Sequence, residues 1–183
     1  GYGNCMFLKE LEKNGKIEVN RISGCSVGSL LALAYLTDNF ILAKKGYFDK
    51  IRSCLKTNGN MSVLKETVIR DFIDNIFETD EKMRNIVNGK LYISYSDISE
   101  CKQVVISEFS DKNHLIDTIL RSSFIPLLVD GNIKTEEKFV DGIFPYIFKD
   151  SINRILYIEL VRLNVQDLIK CMVTKKEKNI HYR

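Results

Sequence analysis

The sequence predicts an α/β fold: a three-layer α/β/α arrangement around a mostly parallel central sheet. Short apolar strands alternate with helices along the chain, the pattern that gives helices packed on a sheet. A strand leading through a Gly-x-Ser-x-Gly turn into an apolar helix lies near the start, at residues 17–36. Arg154 to Val161 is a continuous apolar run of the kind buried in a parallel sheet. With 183 residues and neither an internal repeat nor a low-complexity linker, the reading is a single domain over 1–183.

The elements follow in order. Gly1-Tyr2-Gly3-Asn4 reads as a turn and Cys5 to Asn14 as a helix with Met6, Phe7, Leu8 and Leu11 on its apolar side. A glycine turn opening a helix normally follows a strand, so a first strand is expected before residue 1. Ile17 to Ile22 reads as a strand leading into Ser26. The helix from Val27 to about Leu42 is apolar nearly all round, which implies deep burial, with Lys44-Lys45-Gly46 closing it. Tyr47 to Leu55 reads as helical.

Ser62 is placed to cap an amphipathic helix whose Ile69, Phe72, Ile73, Ile76 and Phe77 repeat at i, i+3, i+4, i+7 and i+8. Thr79 caps a shorter helix that starts with Asp80 and Glu81 and ends at Asn88-Gly89. Leu91–Tyr95 and Gln103–Phe109 read as strands joined by a turn. Leu115, Ile116, Ile119 and Leu120 mark a helix ending at Ser122-Ser123, and Pro126 forbids its continuation. Leu127–Val129 and Lys138–Val140 flank the Asp130-Gly131-Asn132 turn. Asn164 caps a last helix carrying Val165, Leu168, Ile169, Met172 and Val173 on one face, before a charged tail.

Composition excludes several functions. The net charge of +3 is too small to argue for nucleic acid and is compatible with an anionic membrane surface. Five scattered cysteines with no Cys-x-x-Cys pair speak against a disulfide framework and a zinc site and for a reducing, cytoplasmic setting. With His114 and His181 as the only imidazoles, a multi-histidine metal centre is not expected, and no cofactor is implied. No apolar run reaches the ~18 residues that span a bilayer, and these residues contain no signal peptide.

The chemistry gathers at Ser26. Gly24 and Gly28 flank it, where side chains would obstruct a backbone doubling back, and the helix behind it presents free N–H groups to developing negative charge. A serine hydroxyl needs a base. His114 falls in a polar loop before a helix and His181 in a charged tail, so neither reads as that base. A carboxylate acting directly remains, and Asp141-Gly142 after Phe139-Val140 and Asp130-Gly131 after Val129 are both candidates that spacing does not separate.

These motifs together resemble the patatin-like phospholipase family, over residues 1 to about 150. That family pairs a Gly-x-Ser-x-Gly elbow with an Asp-Gly motif some hundred residues later and uses a Ser–Asp dyad without histidine. Ser26 matches the serine. Asp141 matches the aspartate better than Asp130 does, because Pro145 follows it as the family's downstream proline does. Leu120-Arg121-Ser122-Ser123-Phe124-Ile125-Pro126 resembles the family's Ala-Ser-x-x-x-Pro segment. Gly1-Tyr2-Gly3-Asn4-Cys5 resembles its glycine-rich oxyanion loop, with Tyr2 interrupting the glycines and no Arg or Lys at Asn4 or Cys5; Ile143 stands where a second glycine is usual.

The resemblance implies a lipid acyl hydrolase of phospholipase A type. Ser26 and Asp141 would be catalytic, and backbone N–H groups at Gly1, Gly3 and Asn4 would form the oxyanion hole. A phospholipid or other acyl lipid would be the substrate, at a peripheral membrane contact. A degenerate binding or scaffold module is the non-enzymatic alternative. An α/β-hydrolase triad through His181 is disfavoured, because too few strands precede the serine.

Overall fold

The computed structural model describes residues 2–50, 62–123, 138–141, 145–149 and 155–156, with side chains outside 46–48 and 62–66. The chain divides into two compact units, Gly1–Asn153 and Arg154–Arg183. The elements below all belong to the first. Of the expected strand at 154–161, Ile155 and Leu156 are described and run as coil; the expected final helix lies outside the described residues, as do Asp130 and Leu127–Val129.

Helix α1 (Tyr2–Lys13) is followed by strand β1 (Ile22–Cys25), helix α2 (Val27–Thr37) and a short helix α3 (Phe40–Ala43) that runs into a π-helical turn at Lys44–Asp49. Helices α4 (Ser62–Ile76) and α5 (Asp80–Val87) precede strands β2 (Leu91–Asp97) and β3 (Lys102–Ile106). Helix α6 (Lys112–Ser122) and strand β4 (Phe139–Val140) complete the described set.

Sequence and structure agree where local chemistry is decisive. Thr79 caps α5, its hydroxyl accepting the Lys82 N–H at 3.2 Å, and Gly89 adopts φ +69° beyond that helix. Residues Ser29 to Tyr35 of α2 are all buried, as an all-round apolar helix requires. Differences arise where a tertiary contact moves a boundary. The first strand starts at Ile22, whose N–H meets Lys90 O at 2.8 Å, and residues 17–21 are coil.

Helix α2 stops at Thr37 instead of Leu42 because Asp38 turns left-handed (φ 55°) and its N–H caps the last turn, a conformation aspartate tolerates. Lys44 and Lys45 therefore sit inside the π-helical turn. Asp111 caps α6 by accepting the His114 N–H at 2.8 Å, so His114 lies in the first helical turn and not in a loop before it.

The sheet is mixed. β1 pairs parallel with β2, from Ile22 opposite Leu91 to Cys25 opposite Ser94. β3 pairs antiparallel with β2, as the short connection between them demands, and β4 pairs antiparallel with β2 through Ser96–Val140 and Asp97–Phe139. Because β3 already occupies one edge of Ser96 and Asp97, β4 lies on the same edge of β2 as β1. The two strands are thus collinear neighbours that approach each other head-on. The core combines Leu30 and Leu33 of α2, Ile69 and Ile73 of α4, Leu91 and Ile93 of β2 and Leu115 and Ile119 of α6, all essentially without solvent contact.

Candidate active site

Strand β1 ends at Cys25 and α2 begins at Val27, so Ser26 alone makes the turn between them. It does so at φ 53°, ψ −135°, a region that costs a non-glycine residue of order 1–3 kcal/mol and persists only under external restraint. The restraint is visible on both sides of the residue. Ser26 N–H donates to Ser122 Oγ at 2.9 Å and to Ser122 O at 3.1 Å. Ser26 O accepts the Ser29 hydroxyl at 2.6 Å and the Ser29 N–H at 3.0 Å.

Gly24 is needed because the first turn of α2 lies against it. A Cβ there would stand 2.4 Å from Gly28 O, 2.6 Å from Gly28 C and 2.8 Å from Ser29 Cα. The two glycines of the motif meet each other through their main chains.

Asp141 follows directly on β4. Extending the β1 register by one residue puts Ser26 opposite Tyr95, and extending the β4 register by one puts Asp141 opposite Tyr95 as well. The two side chains meet there: Ser26 Oγ donates to Asp141 Oδ2 at 2.7 Å, across 115 residues of sequence. Both residues are half-buried.

The chain is anchored on either side of the aspartate. Before it, the Phe139 ring packs edge-on to Tyr95 at 5.1 Å, under the Arg121 guanidinium of α6. After it, Tyr146 stacks on Tyr92 at 5.8 Å, Phe148 meets Tyr92 edge-on at 4.9 Å, and Arg21 lies over Phe148. Burial pushes the Cys25 thiol up to about 11, and the Asp141 carboxylate adds to the shift. Cys25 is therefore a neutral neighbour of the pair at ordinary pH.

The remaining expected residues fall out differently. Gly3 and Asn4 lie in the first turn of α1, not in a turn ahead of it, and both are exposed; Gly1 lies outside the described residues. First-turn N–H groups have no partner within their helix, so they are available as donors. Tyr2, which breaks the glycine run, fastens this end of α1: its hydroxyl donates to Phe40 O at 3.1 Å and its ring packs on Phe40.

His114 accepts the Ser110 N–H at 3.3 Å and packs on Phe109, as a helix-start residue would. His181 lies outside the described residues. Among the described residues no three His, Cys, Asp or Glu side chains gather in a way that could hold a metal ion. Sequence reasoning assigned no role to Ser122 or Ser29, whose hydroxyls bracket the Ser26 backbone.

A sequence model of the patatin-like phospholipases matches residues 4–144 of this chain. The chain belongs to the patatin-like phospholipase family. A mouse (Mus musculus) relative, 1-acylglycerol-3-phosphate O-acyltransferase Pnpla3, is 32% identical over 65 residues, 34% of this chain and 16% of the mouse protein. The matched segment thus spans about one sixth of that relative's length. Patatin-like proteins are lipid hydrolases or acyltransferases, and their α/β fold is the three-layer architecture that the sequence led us to expect. The family match ends three residues beyond Asp141 and takes in both members of the Ser26–Asp141 contact.

Proposed function

We propose that this chain is a lipid acyl hydrolase of phospholipase A type that works through an acyl-enzyme on Ser26. The observation that carries the reading is the direct 2.7 Å hydrogen bond from Ser26 Oγ to Asp141 Oδ2, with no imidazole between them. Asp141 accepts the hydroxyl proton as Ser26 Oγ attacks the ester carbonyl. The carbonyl oxygen becomes an oxyanion, which the N–H of Gly1 and N–H groups at the starts of α1 (Gly3 and Asn4) and α2 hold. Collapse of the tetrahedral adduct expels the lipid alcohol, which takes the proton from Asp141. Water then loses a proton to Asp141, attacks the acyl-serine and releases the fatty acid, and the proton returns to Ser26.

A second acyl acceptor in place of water would turn the same intermediate to acyl transfer. The acyltransferase name of the mouse relative favours keeping that reading beside the first. The substrate reaches the site from a membrane surface in either case. Phe7 (64% exposed), Met6 and Ile41 (68% exposed) are large apolar side chains left in solvent, and Lys44 and Lys45 beside Ile41 suit an anionic interface. We place this contact at the membrane periphery on the cytoplasmic side; no described helix is long and apolar enough to cross a membrane.

The test is covalent labelling with a fluorophosphonate probe beside hydrolysis of a fluorogenic phospholipid. The wild type labels and turns over, and Ser26→Ala does neither. A correctly folded wild type, in its full chain, that neither labels nor hydrolyses would return the reading to a binding or scaffold module.

A further inference from the structure

Ser122 is the last residue of α6, wholly buried, and 96 residues from Ser26 in sequence. Its hydroxyl makes two bonds of opposite sense. It donates to Ser94 O at 2.7 Å and accepts the Ser26 N–H at 2.9 Å. One hydroxyl proton serves one acceptor, so the bond to Ser94 O fixes where the oxygen lone pairs point, and one of them meets Ser26.

The position of this bridge in the sheet gives it meaning. In a parallel ladder, alternate residues of one strand donate to the carbonyl preceding their partner. Ile22 does so: it is paired with Leu91 and donates to Lys90 O at 2.8 Å. The same pattern, continued four residues on, would carry Ser26 N–H to Ser94 O. The Ser122 hydroxyl stands in that rung instead, bonded to both groups. A single oxygen atom is inserted between donor and acceptor at the residue where the chain must leave the sheet.

We infer that Ser122 is a positioning residue for the nucleophile. Its hydroxyl wedges β1 away from β2 at Ser26, keeps both backbone groups satisfied, and thereby holds the strained backbone that aims Ser26 Oγ at Asp141. The inference rests on reading Ser26 as the nucleophile. Without the wedge two outcomes are open to the chain. The rung closes directly and draws Ser26 toward the sheet, or Ser26 N–H keeps only its 3.1 Å bond to Ser122 O and Ser94 O loses the hydroxyl that donates to it in a buried place, which is costly. Either moves the attacking oxygen from its partner carboxylate. The arrangement also commits the Ser26 N–H, so oxyanion donors must come from other groups.

The experiment compares wild type, Ser122→Ala and Ser123→Ala. Ser123 is a neighbouring buried serine whose hydroxyl donates to Ile119 O at 2.7 Å, so its loss controls for removing a buried hydroxyl at this helix end. In Ser122→Ala the maximal rate of fluorophosphonate labelling falls about 10²-fold, as for a small misplacement of a reacting group, while the half-saturating probe concentration stays put. Ser123→Ala keeps the wild-type rate. Folded Ser122→Ala labelling within twofold of wild type, or Ser123→Ala falling as far, overturns the inference.

Backbone amide exchange supplies a readout that needs neither activity nor a stable variant. The Ser26 amide is protected in wild type if the rung is filled, and free exchange there overturns the wedge. A wild type that fails to label overturns the hydrolase reading, and free exchange at the Ser26 amide overturns the wedge independently of it.

Discussion

Ser26 and Asp141 reach the same level of β2 from opposite directions, Ser26 at the end of a parallel strand and Asp141 at the end of an antiparallel one. Both fall opposite Tyr95, and their side chains close to 2.7 Å. The pair is therefore set by backbone register, with each partner one residue past a hydrogen-bonded strand. Removing the acceptor alone tests the pairing. Asp141→Asn keeps the size and offers an amide oxygen that cannot take a proton. Phospholipid hydrolysis falls by about 10²–10⁴-fold, the usual worth of a general base, with thermal stability within a few degrees of wild type. Hydrolysis within threefold of wild type would remove Asp141 from the mechanism.

The elbow makes a steric prediction. A methyl group at Gly24 meets three backbone atoms of the α2 start between 2.4 and 2.8 Å, and backbone cannot swing aside as a side chain can. Gly24→Ala thus destabilises by about 1–3 kcal/mol or more and forces Ser26 away from Asp141. Gly3→Ala is the contrast, since nothing lies within 4 Å of its would-be Cβ. Thermal denaturation of the two variants reads the difference, and equal melting temperatures would refute the packing argument.

These two tests differ in how much of their basis the sequence carried. Gly24, Ser26 and Gly28 lie within five consecutive residues, so a local pattern exposes them. Asp141 was set apart from Asp130 by the family resemblance, through Pro145, and not by spacing; its approach to Ser26 through the register of β4 on β2 is a pairing between distant segments that no local pattern encodes. Ser122 falls within the segment that resembles Ala-Ser-x-x-x-Pro, but its role was not legible, because its contacts to Ser26 and Ser94 arise where three elements meet. Boundaries slipped for similar reasons. Thr79 was readable as a cap because its partner is three residues away, whereas the break at Asp38 falls in the short polar stretch Thr37-Asp38-Asn39, between apolar residues on both sides that favour a longer helix.

Cys25 provides a chemical probe of the Asp141 charge. Burial and then the carboxylate raise its pKa to about 11, so at pH 8 little thiolate is present and alkylation by iodoacetamide is slow. Site-resolved mass spectrometry should find the exposed Cys101 modified well before Cys25. A negative neighbour disfavours the thiolate, so its removal in Asp141→Asn lowers the Cys25 pKa and speeds alkylation at that site. Burial remains, so the rate stays below that of Cys101. An unchanged Cys25 rate in the variant would mean that the carboxylate does not face the thiol.

A second titration concerns the strand end that supports β4. Asp97 is buried and accepts the Ser99 hydroxyl at 2.6 Å, the Ser99 N–H at 2.9 Å and the Glu100 N–H, with Lys138 at 3.7 Å. These bonds, the Ser99 hydroxyl first, hold its carboxyl below the usual range. A depressed folded-state pKa adds stability that is complete above the unfolded-state value and is lost as pH falls through the folded one. Melting temperature should therefore decline on acidification to below pH 4 more steeply in wild type than in Asp97→Asn. Parallel curves for the two proteins would show that Asp97 does not supply this stability.

The proposed membrane contact is tested apart from the chemistry. Phe7 and Ile41 are exposed, lie on α1 and α3, and belong to the two helices that Tyr2 ties together. Phe7→Asp and Ile41→Asp each replace apolar surface with a charge that an anionic bilayer repels. Sedimentation with phosphatidylserine-containing vesicles should fall severalfold for either variant, while cleavage of a short, soluble ester holds at the wild-type rate. Vesicle binding that survives both changes would move the lipid-facing surface elsewhere on the chain. A parallel loss of soluble-ester cleavage would instead show that the substitutions disturb the fold around α1, and with it the donors that Gly3 and Asn4 are proposed to supply.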